Sequence, residues 1–314
     1  MARFSVGEAA TAGFGLIARK PLAVLAWGLA LLVAAVVPTY ILFWTAGPQL
    51  AALMQLSSHA TDAQDPRMVE QIMRMQSGMM LFQLVFWLWS TAVKAVICSA
   101  VFRAVLEPAD SRFGYLRLGA REGWLTLLFL VEYVLAYIAF LVVALLGVVI
   151  VAIVSVGGGG QGPATIATAV VVGLAALALF VWVALKLSMA APMTFVDRQF
   201  RLFESWSFTR GHVGKLLAVT LLLVVFLIGI QVVFGGLMLG GIFALGGSMS
   251  WLFEPGAVEA LVRQPPMEIV RKLGPVISIV GFLWVVLSTL VMTVLCAPWA
   301  AAYRALREQV PAQA

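Results

Sequence analysis

Six stretches of this chain, residues 21–44, 79–106, 125–156, 163–196, 216–247 and 275–306, each run for more than 20 residues with at most two charged side chains. An α-helix rises about 1.5 Å per residue and a bilayer core is about 30 Å thick, so about 20 apolar residues suffice to cross it. Lipid offers no partner for backbone N–H and C=O groups, which restricts isolated apolar runs of this kind to helices. Composition agrees, with 63% hydrophobic and 11% charged residues, against about 25% charged in a soluble domain. The sequence therefore predicts an all-α fold. Its form is a polytopic helical membrane bundle of six transmembrane helices, one integral membrane domain over residues 1–314. The first twenty residues are amphipathic and carry Glu8, Arg19 and Lys20, unlike a cleavable signal. Insertion by an uncleaved first helix is the expectation.

The basic residues set the orientation. Thirteen of the 20 lysines and arginines fall in one set of loops: Arg3, Arg19, Lys20, Arg103, Arg112, Arg117, Arg121, Arg198, Arg201, Arg210, Lys215, Arg304 and Arg307. Five fall in the opposite set, Arg67, Arg74, Arg263, Arg271 and Lys272, and Lys94 and Lys186 lie within spans. The excess assigns the first set, and with it both termini, to the cytoplasmic side of a multi-pass protein. The net charge of +6 is accounted for by this bias and by anionic headgroups, so no nucleic-acid partner is expected.

An internal repeat is legible at the ends of the even spans. Lys94-Ala-Val-Ile-Cys98-Ser-Ala, Lys186-Leu-Ser-Met-Ala190-Ala-Pro192 and Met292-Thr-Val-Leu-Cys296-Ala-Pro298 align without gaps, and Arg198 and Arg304 follow at the same offset. At the odd spans, Lys20-Pro-Leu-Ala-Val-Leu matches Lys215-Leu-Leu-Ala-Val-Thr, with the stretch from Trp124 a looser copy. A short amphipathic stretch precedes each hairpin: Phe4 with Glu8, Phe113 with Arg117, Phe200 with Glu204. The unit is an interfacial helix plus a transmembrane hairpin, three times over, with repeats at about 1–106, 107–197 and 198–309. Phe200, Phe203, Trp206, Phe208 and Arg210 suit an amphipathic segment in the headgroup boundary. In the outer loops, Asp65 and Pro66 mark a helix start, and Met68, Ile72, Met75 and Met79 fall on one face of that helix.

A Phe-containing interfacial segment, a basic residue entering the membrane, and a hairpin ending Cys296-Ala-Pro298-Trp299 with Tyr303-Arg304 together resemble a broad group of bacterial six-helix membrane proteins. That group includes the membrane domain attached to some glycerophosphodiester phosphodiesterases. The clearest stretch is 189–217, with Asp197-Arg198 and Phe203-Glu204-Ser-Trp206. No phosphodiesterase domain is present, so its hydrolysis does not carry over. The resemblance implies a bacterial cytoplasmic (inner) membrane and a link to lipids.

Lys94, Glu132 and Lys186 are the charges within spans. An ion at the bilayer centre costs at least about 2.5–3.5 kcal/mol, so each must be paired, hydrated or neutral. Counted from the cytoplasmic ends of continuous helices at ~1.5 Å per residue, Glu132 lies about 12 Å deep, Lys94 about 13 Å and Lys186 about 18 Å. They could line a cavity for an anionic substrate or headgroup. Equally, Glu132 and Lys94 could form a buried pair while Lys186 snorkels. Gly236 and Gly240 form a GxxxG pattern that suits close helix packing within the bundle or a homodimer seam.

Nothing catalytic emerges. The glycines from Gly157 to Gly160 lack the Lys-Ser/Thr of a phosphate loop and read as a hairpin turn. His59 and His212 fall on opposite sides without ligand-spaced partners, so no metal or other cofactor is expected. Cys98 and Cys296 sit in apolar runs and read as buried thiols, although their matched repeat positions allow a close approach. The expected function is a non-enzymatic membrane protein binding lipid or a partner protein, either a different membrane protein or a second copy, in envelope or lipid homeostasis. The alternative is a transporter or channel for a small or lipidic anion that uses Lys94, Lys186 and Glu132.

Overall fold

The structure is a computed structural model and describes residues 5–59, 66–158, 160, 162–244, 264 and 266–308. It is 88% helical, without strands among the described residues. Nine α-helices are described: α1 (Val6–Arg19), α2 (Pro21–His59), α3 (Pro66–Leu106), α4 (Ala120–Gly157), α5 (Pro163–Leu187), α6 (Ala190–Asp197), α7 (Glu204–Phe208), α8 (Val213–Ala244) and α9 (Pro266–Arg307). Six segments are long and apolar enough to cross a membrane: Pro21–Leu42, Gly78–Leu106, Arg112–Gly157, Pro163–Asp197, Val213–Gly241 and Ser278–Arg307. The chain is accordingly compatible with a multi-pass membrane protein of six spans. Asp65, the side chains of His59, Met68, Ile72 and Met75, and nearly all of the loop before α9 lie outside the described residues.

Local chemistry sets the helix starts. Ser5 stands three residues before Glu8, and its Oγ accepts the Glu8 N–H at 3.4 Å, the geometry of an N-cap. Prolines open α2, α3, α5 and α9, where a missing N–H costs nothing and φ is already helical. The helices α2, α3, α4 and α9 run without interruption for 39, 41, 38 and 42 residues. At about 1.5 Å per residue each is close to 60 Å long, about twice the thickness of a hydrocarbon core.

The three stretches expected to be interfacial helices differ from one another. The first is α1, four turns long. The second is a short 3-10 turn at Arg112–Tyr115 whose Phe113 (φ 53°), Gly114 (φ 62°) and Tyr115 (φ 68°) are all left-handed. The third holds only the five-residue α7.

The helices fall into two compact units. One comprises Met1–Ala9, Gln83–Val219 and Trp299–Ala314. Its core includes Phe102, Tyr115, Leu125, Met189 and Phe195, all at most 1% exposed, with α4 packed on α5 and α6. Within the most apolar 18-residue stretches of α4 and α5 no residue is buried, so these two helices present their apolar side chains outward.

The second unit comprises Ala10–Phe82 and Thr220–Pro298. Trp27 and Val294 are fully buried in it, and Phe14 meets Phe226 edge to face at 5.1 Å. Glycine brings backbones together here at Gly13 and Gly28. A Cβ at Gly13 would lie 2.7 Å from the Val294 Cα, and one at Gly28 would lie 3.2 Å from the Thr289 Oγ1. By contrast, a Cβ at Gly236 or Gly240 would meet nothing within 4 Å. The close packing expected of that pair is therefore not made among the described residues.

Candidate functional site

The site begins with a broken helix. Pro192 has no N–H to donate to the Ser188 carbonyl, and its ring crowds that carbonyl. The helix gives way at Ser188 and Met189, so α5 ends at Leu187 and α6 starts at Ala190. A break of this kind orphans backbone groups, which must find partners if buried. Two backbone groups beside this break are met by α7. The Ser205 hydroxyl donates to the Lys186 carbonyl at 2.8 Å and accepts the Met189 N–H at 3.2 Å. The Thr209 hydroxyl donates to the same carbonyl at 3.4 Å. Ser205 and Thr209 are fully buried.

This closure places Trp206 against Lys186. The Lys186 Nζ stands 5.9 Å from the Trp206 ring centroid, and Trp206 meets Trp182 edge to face at 5.0 Å. Lys186 is only 8% exposed, and no acidic partner reaches it among the described residues. Lys186 falls in the last turn of α5, which at 25 residues is about 37 Å long and can cross a ~30 Å core without α6.

Lys94 shows the same solution in a more open setting. Its ammonium donates to the Tyr133 hydroxyl at 3.4 Å and lies 5.7 Å from that ring's centroid. Tyr133 is itself edge to face with Trp87 at 5.9 Å. The pair expected between Lys94 and Glu132 is not formed. Glu132 is one residue before Tyr133, so it points about 100° away around α4, and it is half-buried without an ion pair among the described residues. Each intramembrane lysine thus rests on an aromatic ring braced by a second one. Part of this was visible in the spacing, because Trp182 and Lys186 are four residues apart on one helix face.

A second polar cluster, missed when the loop arginines were read only as orientation signals, lies between α3 and α4. Arg103 pairs with Glu122 at 2.6 Å, with both side chains at most 5% exposed, and also donates to the Tyr115 carbonyl. Arg121 pairs with Glu107 at 2.9 Å and Arg117 with Asp110. The Arg103 and Arg121 guanidinium groups lie 5.6 and 4.7 Å from the Phe195 ring centroid. Tyr115 donates its hydroxyl to the Pro108 carbonyl at 3.0 Å. These contacts hold the left-handed run in place, and it presents Phe113 at 85% exposure.

No protein-family model, curated protein or solved structure matches this chain.

The residues expected at the interface divide. Phe203 (74% exposed) and Arg210 point outward. Trp206 turns in to Trp182 and Lys186, Phe208 packs on Tyr303 at 5.5 Å, and Phe200 is half-buried. Arg112, Arg198 and Arg210 are exposed, and their guanidinium groups have no acidic partner among the described residues. Arg112 adjoins Phe113, and Arg198 and Arg210 flank Phe203 in sequence.

Proposed function

We propose that this chain is a non-enzymatic integral membrane protein that binds anionic lipid along the loops carrying Arg112, Arg198 and Arg210. The observation that carries this reading is the pairing pattern. Arg103, Arg117, Arg121 and Arg201 are matched by nearby carboxylates, whereas Arg112, Arg198 and Arg210 have no acidic partner among the described residues and stand near exposed Phe113 and Phe203 in sequence. Apolar side chains that enter the headgroup boundary, beside cations that meet phosphate, are the elements of interfacial lipid binding. The resemblance to bacterial six-helix membrane proteins supports a bacterial inner membrane and a role in envelope or lipid homeostasis. The lysine and proline matches support a threefold unit, and the basic bias supports cytoplasmic loops and termini.

In nanodiscs, thermal stabilisation on replacing half of the phosphatidylcholine by phosphatidylglycerol should fall by at least about half in the triple variant R112Q/R198Q/R210Q, since each surface cation near anionic lipid contributes about 1 kcal/mol. Equal stabilisation of wild type and variant would sink the proposal. The transport alternative requires Lys94, Glu132 and Lys186 to act on one path. It would displace this reading if liposomes showed anion flux that K94M/K186M abolished at equal folding.

Orientation has its own check. With Cys98 and Cys296 replaced by alanine, a cysteine at Gly162 should react with an impermeant thiol reagent added to intact cells. One at Ser207 should react only after permeabilisation. The opposite pattern would reverse the orientation.

A further inference from the structure

We propose that Lys186, Trp182 and Trp206 form a discrete binding site for one phosphate group, that of an anionic phospholipid in the leaflet next to the end of α5. The inference rests on the chain lying in lipid with the Lys186 end of α5 at the headgroup level.

The site is rich in donors. The Lys186 ammonium has three N–H donors, and its contacts among the described residues are confined to the Trp206 ring face. The indole N–H groups of Trp182 and Trp206 likewise have no hydrogen-bond partner among the described residues. The C-terminal end of a helix would ordinarily repel an anion. Here the Lys186 carbonyl accepts from the Ser205 hydroxyl and the Leu185 carbonyl from Ser188 Oγ, both at 2.8 Å. The nearby carboxylates are also engaged, Asp197 and Glu204 both with Arg201, at 3.3 and 3.2 Å. An acceptor-rich anion such as a phosphate fits this donor set.

Burial separates this arrangement from simple snorkelling. A lysine that only reached for water would extend its head outward, yet Lys186 is 8% exposed, with its backbone pinned through its carbonyl to α7. If α5 alone makes the span, its last turn, one turn from the 44% exposed Trp182, falls at the depth of lipid phosphate, where tryptophan concentrates. That position favours a phospholipid over phosphate in solution.

The test is native mass spectrometry of the delipidated full chain, titrated separately with dihexanoyl phosphatidylglycerol, dihexanoyl phosphatidylcholine and inorganic phosphate. Wild type should bind one phosphatidylglycerol in preference to phosphatidylcholine. Lys186→Met should weaken that event about tenfold, the scale of one lost charge-assisted hydrogen bond. Lys186→Arg should retain most of it, and Trp206→Phe should retain the ring and lose part of it. Folding of each variant is checked by circular dichroism, with Lys186→Gln as the substitute if Met does not fold. Equal binding by folded wild type and Lys186→Met overturns the site while leaving the arginine-based reading intact. Loss of the nanodisc response in R112Q/R198Q/R210Q, with the single Lys186-dependent event preserved, supports both. Inorganic phosphate that binds in a Lys186-dependent manner, with phosphatidylglycerol no better, keeps the phosphate site and overturns its lipid source. Absence of any preference for phosphatidylglycerol or phosphate in wild type overturns the site outright.

Discussion

Glu122→Gln should destabilise the protein by about 3–5 kcal/mol, the cost of leaving one partner of a buried ion pair uncompensated. The Arg103–Glu122 pair is 2.6 Å long and almost fully enclosed, so water cannot take over from the missing carboxylate. Arg103 carries further obligations, since it also donates to the Tyr115 carbonyl and faces Phe195. The variant should therefore loosen the left-handed run at Phe113 to Tyr115 as well as unfold more easily. Denaturant unfolding in detergent, followed by circular dichroism, measures the first effect, and proteolysis between α3 and α4 measures the second. The double variant Arg103→Met/Glu122→Leu should recover part of the loss, because replacing both ions removes the buried charge. A change below about 1 kcal/mol in Glu122→Gln, the range of an exposed pair, would show that this pair is solvated in the protein.

Gly13→Leu should be comparably damaging, for a reason of space. A Cβ at Gly13 would lie 2.7 Å from the Val294 Cα and 3.0 Å from the Thr293 carbonyl oxygen. These are backbone atoms, which cannot rotate aside as a side chain would. The α1 segment would have to lift from α9, exposing Leu16 and Val294, both now buried. Overpacking of this kind costs about 1–3 kcal/mol before any lost burial is counted. Gly7 supplies the contrast within the same helix. A Cβ there meets nothing within 4 Å, so Gly7→Ala should stabilise α1 by up to about 1 kcal/mol through helix propensity. Thermal melts of the two variants should thus move in opposite directions. A neutral Gly13→Leu would mean that α1 does not pack on α9 as described.

The architecture was legible wherever one physical constraint dominated. Long apolar runs must be helical in lipid, and the six expected spans correspond to six candidate spans at nearly the same residues. Pro192 was recognisable as an interruption, but its consequence was not. The Lys186 carbonyl beside the break is met by Ser205, 19 residues away, and no local pattern shows that. The lysines were visible as expensive charges. A search for an opposite charge led to Glu132, whereas the fold supplies Tyr133 and Trp206, because aromatic partners carry no sign to match. GxxxG spacing pointed to Gly236 and Gly240, yet among the described residues close approaches between helices fall at Gly13, Gly28 and Gly147. A small residue permits contact, and only the fold determines which surface comes near. The arginines between α3 and α4 were counted as topological signals although most of them are also structural, since charge counting does not ask which acids lie within reach.

The closure of the break in α5 has a consequence for biogenesis. The Lys186 carbonyl is met by a hydroxyl that is not yet synthesised when Lys186 leaves the ribosome. At about 5–20 residues per second, Ser205 follows roughly one to four seconds later. Until then the end of α5 has no fixed partner for that carbonyl, and the lysine beside it has no Trp206 to rest on. A pause or truncation between Lys186 and Ser205 should therefore leave the end of α5 unfinished.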